Sequence, residues 1–339
     1  MTETGRVRYP TRRSVLGLGA VGVGVALAGG QAFAAAGAVP QRQAELRWSE
    51  PGKLWLRGVK LHHTTVLQSF AFDERNRHIY ALQVIPSGKR LPGESRTYSH
   101  DERVHNGDLC LNRLAMDGTR LDHMYLKGFG HGTTVAVERA PSGGTALWTE
   151  WDAKPSSGYG RGVCRFRYTA GKVLTGNSAG LDTFRPQPGS INNNAALDTA
   201  HGRLLLRYRR SGLPRYTLYD LDRFAARDFR PLADFPQPGA ESGLPFQGMA
   251  LHGAYAYQLL GSAYGPDNPR KGGGNTRLFR IGMPDGRYVS EKLDRTDPGL
   301  GRREPEGLAV RAGRNGGLYM GFAHGPARGR RLSLYRKTL

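Results

Sequence analysis

The chain is short of acid, with 28 Asp and Glu against 49 Lys and Arg, a formal charge of +21 over 339 residues. That excludes an acidic, solvating chain. It has two cysteines, too few for a disulfide framework. Apolar heptads are missing and long helical periodicities are scarce, so a helical bundle is not expected. Past the N-terminal segment, no hydrophobic stretch is long enough to span a bilayer. What the chain has in quantity is turn chemistry. Its 48 glycines and 20 prolines are spread along the length, among 38% hydrophobic and 23% charged residues. Such a composition suits a folded, turn-rich β protein.

The first residues read as an address, because Thr11-Arg12-Arg13-Ser14-Val15-Leu16 has the form of a twin-arginine export signal. A Gly/Ala/Val-rich run to about Gly30 follows, then small-x-small cleavage sites at Ala32-Phe33-Ala34 and Ala34-Ala35-Ala36. An uncleaved anchor is the alternative, although so glycine-rich a run inserts poorly. The expected division is a signal over 1–34, a linker over 35–45 and one domain over 46–339. Residues 1–34 hold four Arg and one Glu, so their removal lowers +21 to +18. A secreted or cell-wall-associated protein is expected, with the twin-arginine translocon as its partner during export.

Five segments repeat one pattern: Gln68–Asp73, Thr133–Glu138, Asn193–Asp198, Gln247–His252 and Glu306–Arg311. Each opens on a polar residue, has alanine fourth and a large apolar residue fifth. A turn and a second apolar run follow each segment, then a third, and in the first four repeats a weaker fourth. Four strands per repeat, five times, with the last repeat one strand short, predicts an all-β fold: a five-bladed β-propeller. Leu54–Leu61, ahead of the first repeat, can supply the missing strand. A two-sheet sandwich is the rival, but gives no reason for a fivefold repeat. Cys110 and Cys164 fall at equivalent third-strand positions of neighbouring blades, which diverge from the axis, so two buried, unbridged thiols are expected.

In a propeller the first strands line the central channel. The leaders Gln68, Thr133, Asn193, Gln247 and Glu306 should therefore converge there, with His131 and Glu304 on the same side by strand alternation. His63, just ahead of the first inner strand, can reach the channel mouth. The loops between second and third strands should open on the same face. They carry 15 Lys/Arg and 6 Asp/Glu, with Arg209, Arg210, Arg270 and Lys271 among the excess and Tyr98, Tyr159 and Tyr264 as stacking faces. Amides in a narrow channel that bind only water and each other are the bland alternative.

Enzyme motifs are weak. Gly176-Asn177-Ser178-Ala179-Gly180 matches G-x-S-x-G without the strand and helix of a nucleophile elbow. Gly272-Gly273-Gly274 lacks the Lys-Ser/Thr of a P-loop. His62 and His63, adjacent on a strand, would face opposite ways, which argues against a shared metal. If the protein is an enzyme, Glu306 and His131 are the candidate catalytic pair, as a hydrolase or lyase. No metal or cofactor is called for. Nucleic acid is not an expected partner, since neither a recognition helix nor a stacking-strand motif appears.

The stretches His63–Asp73, Gly128-Phe129-Gly130-His131-Gly132, Phe246-Gln247-Gly248 and Arg303-Glu304-Pro305-Glu306-Gly307 resemble the exported proteins related to teichoic acid biosynthesis protein C and the propeller of phage receptor-binding (baseplate) proteins. The resemblance covers about residues 45–339. It implies a five-bladed propeller that binds cell-surface glycopolymer, and says little about catalysis. The combined expectation is a monomer that holds an anionic wall or extracellular glycopolymer through a basic loop face around a polar channel.

Overall fold

The computed structural model describes residues 50–139, 144–313 and 316–338, so the expected signal and linker lie outside the described residues. β1 (Lys53–Val59) is first in the chain and last in the ring. Blade one is β2 (Leu67–Asp73), β3 (His78–Val84), β4 (Leu109–Ala115) and β5 (Arg120–Lys127), with helix α1 (His100–Asn106) in the β3–β4 connection. Blade two takes β6 (Val135–Arg139), β7 (Thr145–Ala153) and β8 (Gly160–Phe166). The short β9 (Val173–Thr175) then pairs in parallel with β5, and β10 (Asp182–Phe184) completes blade two.

Blade three is β11 (Ile191–Asp198), β12 (Arg203–Arg210), β13 (Leu213–Asp220) and β14 (Ala233–Pro236), with helix α2 (Leu221–Ala225) between the last two. Blade four is β15 (Phe246–His252), β16 (Tyr255–Leu260), β17 (Arg277–Gly282) and β18 (Tyr288–Leu293). β19 (Glu304–Arg311), β20 (Gly317–His324) and β21 (Arg331–Thr338) form blade five, which β1 closes antiparallel to β21. The fold is the expected five-bladed propeller. The closing strand ends at Val59 rather than Leu61, because Gly58 takes φ 65° and the register with β21 slips between Leu56 and Val59.

Apolar side chains pack in five layers, one between each pair of neighbouring blades. Tyr80, Leu109, Phe129 and Phe166 fill the first, Trp148, Phe184 and Phe224 the second, and Leu205, Met249 and Phe279 the third. Leu259, Leu308 and Met320 fill the fourth, and Val59, Phe70, Tyr319 and Leu332 the last. Half-buried Trp55 of β1 joins that last layer, edge-on to Phe72 at 5.6 Å and to Tyr319 at 5.2 Å. Cys110 and Cys164 are buried and unpaired in β4 and β8.

The mouth is built on charged struts. In the β3–β4 connection the buried Arg103 donates to Glu94 (2.6 and 2.7 Å) and to Asp108 (2.8 Å), which fixes α1 against blade one. α1 begins with a capping box in which Ser99 Oγ accepts from Glu102 N–H and the Glu102 carboxylate accepts from Ser99 N–H. The buried Arg303 donates to Asp294 at 2.9 Å and to the Thr296 carbonyl at 2.8 Å, holding the chain that enters β19.

Candidate functional site

The five inner strands β2, β6, β11, β15 and β19 make a channel in three zones. Deepest is a small apolar chamber of about 90 Å³, lined by Ala71, Ala136, Ala196, Ala250 and Ala309, the alanines of the repeat. Five strands converging on one axis leave room there only for a methyl group. Two positions earlier the strands touch. Ser69 Oγ donates to the Gly132 carbonyl at 2.6 Å, and Thr134 Oγ1 accepts from Ala195 N–H at 3.1 Å. A Cβ on Gly248 would lie 2.9 Å from the Gly307 Cα, so glycine is required at this neck.

Beyond the neck the channel widens into a cavity of about 1120 Å³ on the face where the inner strands begin. Each blade gives it one residue at or beside the leader position: Gln68, Thr133, Asn192, Gln247 and Glu306. In four of the five blades the inner hairpin slips register there, between Leu67/Ser69, Ile191/Asn194, Phe246/Gly248 and Pro305/Leu308. A bulge frees a residue from the ladder and re-aims its side chain, which turns these polar groups into the cavity.

Of the residues singled out in the sequence, Gln68, Thr133, Gln247, Glu304, Glu306, His131 and Arg209 share this cavity. Asn193 is elsewhere. The blade-three bulge holds two residues, so Asn192 (φ 59°) faces the cavity, while Asn193 is fully buried, donating to the Gly160 carbonyl at 3.1 Å and accepting from Ser190 Oγ at 3.1 Å. His63 is turned away into an imidazole cluster, its Nε2 3.2 Å from the Tyr125 hydroxyl. His62 and His63 lie in a bend rather than on a strand, so the two rings meet at 4.4 Å instead of facing apart, and His62 stacks on His123 at 3.4 Å. Among the described residues no cluster of His, Cys, Asp and Glu is arranged to hold a metal ion.

Three of the basic loop residues also lie outside the cavity wall. Arg210 lies over the Tyr208 ring at 5.9 Å, Arg270 donates to the Pro298 carbonyl at 3.1 Å, and Lys271 is exposed on the same loop. The cavity is bordered instead by Gly212 and Leu213 at the turn of the β12–β13 hairpin and by Ala327 and Arg328 between β20 and β21. Sequence reading also missed the contribution of the loops leading into the inner strands, which bring Thr64, Gln237, Glu241 and Arg302 to the wall.

The wall carries Arg207, Arg209, Arg302, Arg328 and Arg330 against Glu241, Glu304 and Glu306. Glu304 is ion-paired with Arg330. Glu306 is buried, has no hydrogen-bond or ion-pair partner among the described residues, and is held well above the ordinary carboxylate pKa by desolvation and by Glu304. His131 sits against Tyr159 (5.3 Å between rings) and is pushed below the usual imidazole range by burial, with His100 adding to the effect.

Behind His131 lies Glu150 of β7. Its Oε2 accepts from the backbone N–H groups of Gly160 (2.8 Å) and His131 (3.2 Å), while Oε1 has no partner. Complete burial raises it to about 7, against the lowering effect of those N–H groups and of Arg207. Arg207 itself is buried in β12. Its Nε donates to Gln237 Oε1 at 2.9 Å, its guanidinium lies 4.3 Å over the Phe246 ring, and burial lowers it to about 10, so it stays charged.

Comparison with known proteins places this geometry. A model of the phage 5-bladed beta propeller receptor binding platform domain matches residues 66–278. A Bacillus subtilis (strain 168) protein named for major teichoic acid biosynthesis, protein C, is 30% identical over 262 residues, 74% of this chain and 54% of that protein. The tail fiber of Staphylococcus aureus phage P68 superposes with a TM-score of 0.65 at 19% identity, over 86% of this chain and 53% of that one. The chain thus spans about half the length of each of these two relatives. With five blades, and a family match running from the first inner strand into the fourth blade, the chain belongs to the phage five-bladed β-propeller receptor-binding platform family.

Proposed function

We propose that this chain is an exported propeller that binds an anionic cell-surface glycopolymer in the cavity at the channel mouth, with a teichoic-acid-like polyol phosphate ahead of acidic polysaccharide. The observation that carries the reading is the cavity itself. It is open to one polar residue from every blade, and five arginines face three glutamates, one of them paired and one whose pKa burial pushes up. Hydroxyl-rich chains suit the amides, and spaced anions suit the guanidinium groups. The receptor-binding family and the name of the Bacillus relative favour the same ligand class. Export is part of the proposal, resting on the twin-arginine pattern at Arg12-Arg13.

A second reading keeps one specific observation: Glu306 is a buried, unpartnered carboxyl on the cavity wall whose pKa is pushed up by burial, which favours a proton donor to a leaving group. One assay separates the two. The full chain is incubated with purified polyglycerol phosphate teichoic acid and with acidic wall polysaccharide, retention is measured by co-sedimentation, and released fragments are followed by mass spectrometry. Retention without fragments supports binding. Fragments that vanish in Glu306→Gln and His131→Ala establish cleavage, and neither retention nor fragments overturns both readings.

A further inference from the structure

Five arginines are buried among the described residues: Arg103, Arg207, Arg303, Arg311 and Arg330. Four have a carboxylate in ion-pair contact: Glu94 and Asp108 for Arg103, Asp294 for Arg303, Glu74 for Arg311 and Glu304 for Arg330. Arg207 has none, and its Nη1 has no hydrogen-bond partner at all. A buried cation without a counter-ion carries a desolvation cost that one hydrogen bond and one aromatic face return only in part. Stability alone gives no reason for it at this position.

The surroundings hold the guanidinium in a fixed orientation. Gln237 takes the Nε hydrogen, and the Phe246 ring covers one face. Nη1 is left without a partner and closed off from solvent, on a residue that lines the cavity beside Arg209, Tyr159 and His131. Glu150, which interacts with Arg207 electrostatically, gives its Oε2 to backbone N–H groups and forms no ion pair with Arg207, leaving its Oε1 unpartnered as well.

We propose that Arg207 is a preformed oxyanion subsite, and that its occupant is a phosphodiester of the bound polymer, held by the guanidinium on the cavity wall. The proposal rests on the polymer-binding reading above and goes further by naming the anchor and the group it holds. Arg207 is the counter-ion partner that the ligand completes. Arg209, exposed at the rim and tied to the Gly212 carbonyl, steers the chain toward it.

The test pairs affinity with stability. Arg207→Met keeps the length and apolar packing over Phe246 while removing the charge. Affinity for polyglycerol phosphate should fall at least tenfold, while the thermal midpoint of the unliganded protein holds or rises. Arg207→Lys, which keeps charge but not the guanidinium, should lose affinity as well and guards against a variant that fails to fold. Arg139→Ser, at the far end of β6, serves as control. A lowered midpoint with unchanged affinity in both variants makes Arg207 structural and overturns the proposal. Loss toward polygalacturonate but not toward polyglycerol phosphate overturns the phosphodiester assignment. Absence of retention by the unaltered chain defeats the polymer-binding reading instead, so the two failures are distinguishable.

Discussion

At the scale of single residues, burial sets two opposed pH dependences. Glu150, raised to about 7, and Glu306, also raised by burial, hold protons more tightly in the folded chain than in the unfolded one. The folded state therefore loses stability as pH climbs from the unfolded carboxyl value toward the folded one. For Glu150 that window runs from about pH 4.5 to about 7 and amounts to about 3 kcal/mol. The imidazole cluster acts the other way. His62, lowered to about 4, and His63, lowered to about 3, are neutral when folded, through desolvation first and the neighbouring imidazoles second. Their contribution is intact above about pH 6.5 and drains away as pH falls through the folded values. Glu150→Gln should flatten the alkaline limb, since the amide oxygen still accepts the Gly160 and His131 N–H groups. Urea denaturation at pH 5 and pH 8 checks this: the stability difference between the two pH values should shrink by about 3 kcal/mol in the variant. An unchanged difference would falsify the neutral Glu150.

At the scale of elements, the ring depends on β1, which lies outside the repeat it completes. A chain beginning at residue 46 should melt in one cooperative transition. One beginning at residue 62 should not, because β21 then shows an unpaired edge and the last interblade layer loses Val59 and Leu61. Circular dichroism and gel filtration of the two chains decide it. A milder change, Trp55→Ala, removes the edge-on contacts to Phe72 and Tyr319 and should cost about 2 kcal/mol in urea unfolding. The repeat was legible in the sequence for a physical reason, namely that the apolar chamber admits only alanine at the fourth position of every inner strand. The bulges were not legible, because an extra residue in a ladder leaves no periodic trace, and that is why Asn193 was taken for Asn192. Arg207 was hidden too. It sits in the second apolar run of its repeat, outside the leader positions and the loops from which the sequence drew its candidates. Ser99 and Glu102 did carry a signal, the capping spacing of α1, inside what was read as loop. Leu221 was read as the end of a strand, although Asp220 caps Arg223 N–H at 2.9 Å and starts α2 there.

At the scale of the whole molecule, the question is whether the +21 charge binds anions everywhere or the cavity binds them in one place. A basic protein attracts polyanions over its entire surface, and that long-range attraction depends on net charge and falls with salt. Local recognition depends on where the guanidinium groups stand. Two quadruple variants separate the terms because each removes four positive charges. One changes Arg207 to Met and Arg209, Arg302 and Arg328 to Ser, all on the cavity wall. The other changes Arg139, Arg167, Lys172 and Arg230 to Ser, none of which borders it. Steering is weakened alike in both, so any difference between them belongs to the cavity. Retention of polyglycerol phosphate at 0.15 M salt should fall more than tenfold in the first and less than threefold in the second, since tenfold is the loss of about 1.4 kcal/mol of direct contact. The dependence of affinity on salt should flatten more in the first variant as well, because charges in contact with the polymer displace its counter-ions and distant ones do not. Equal losses from the two sets would mean that the surface as a whole, rather than the channel mouth, holds the polymer.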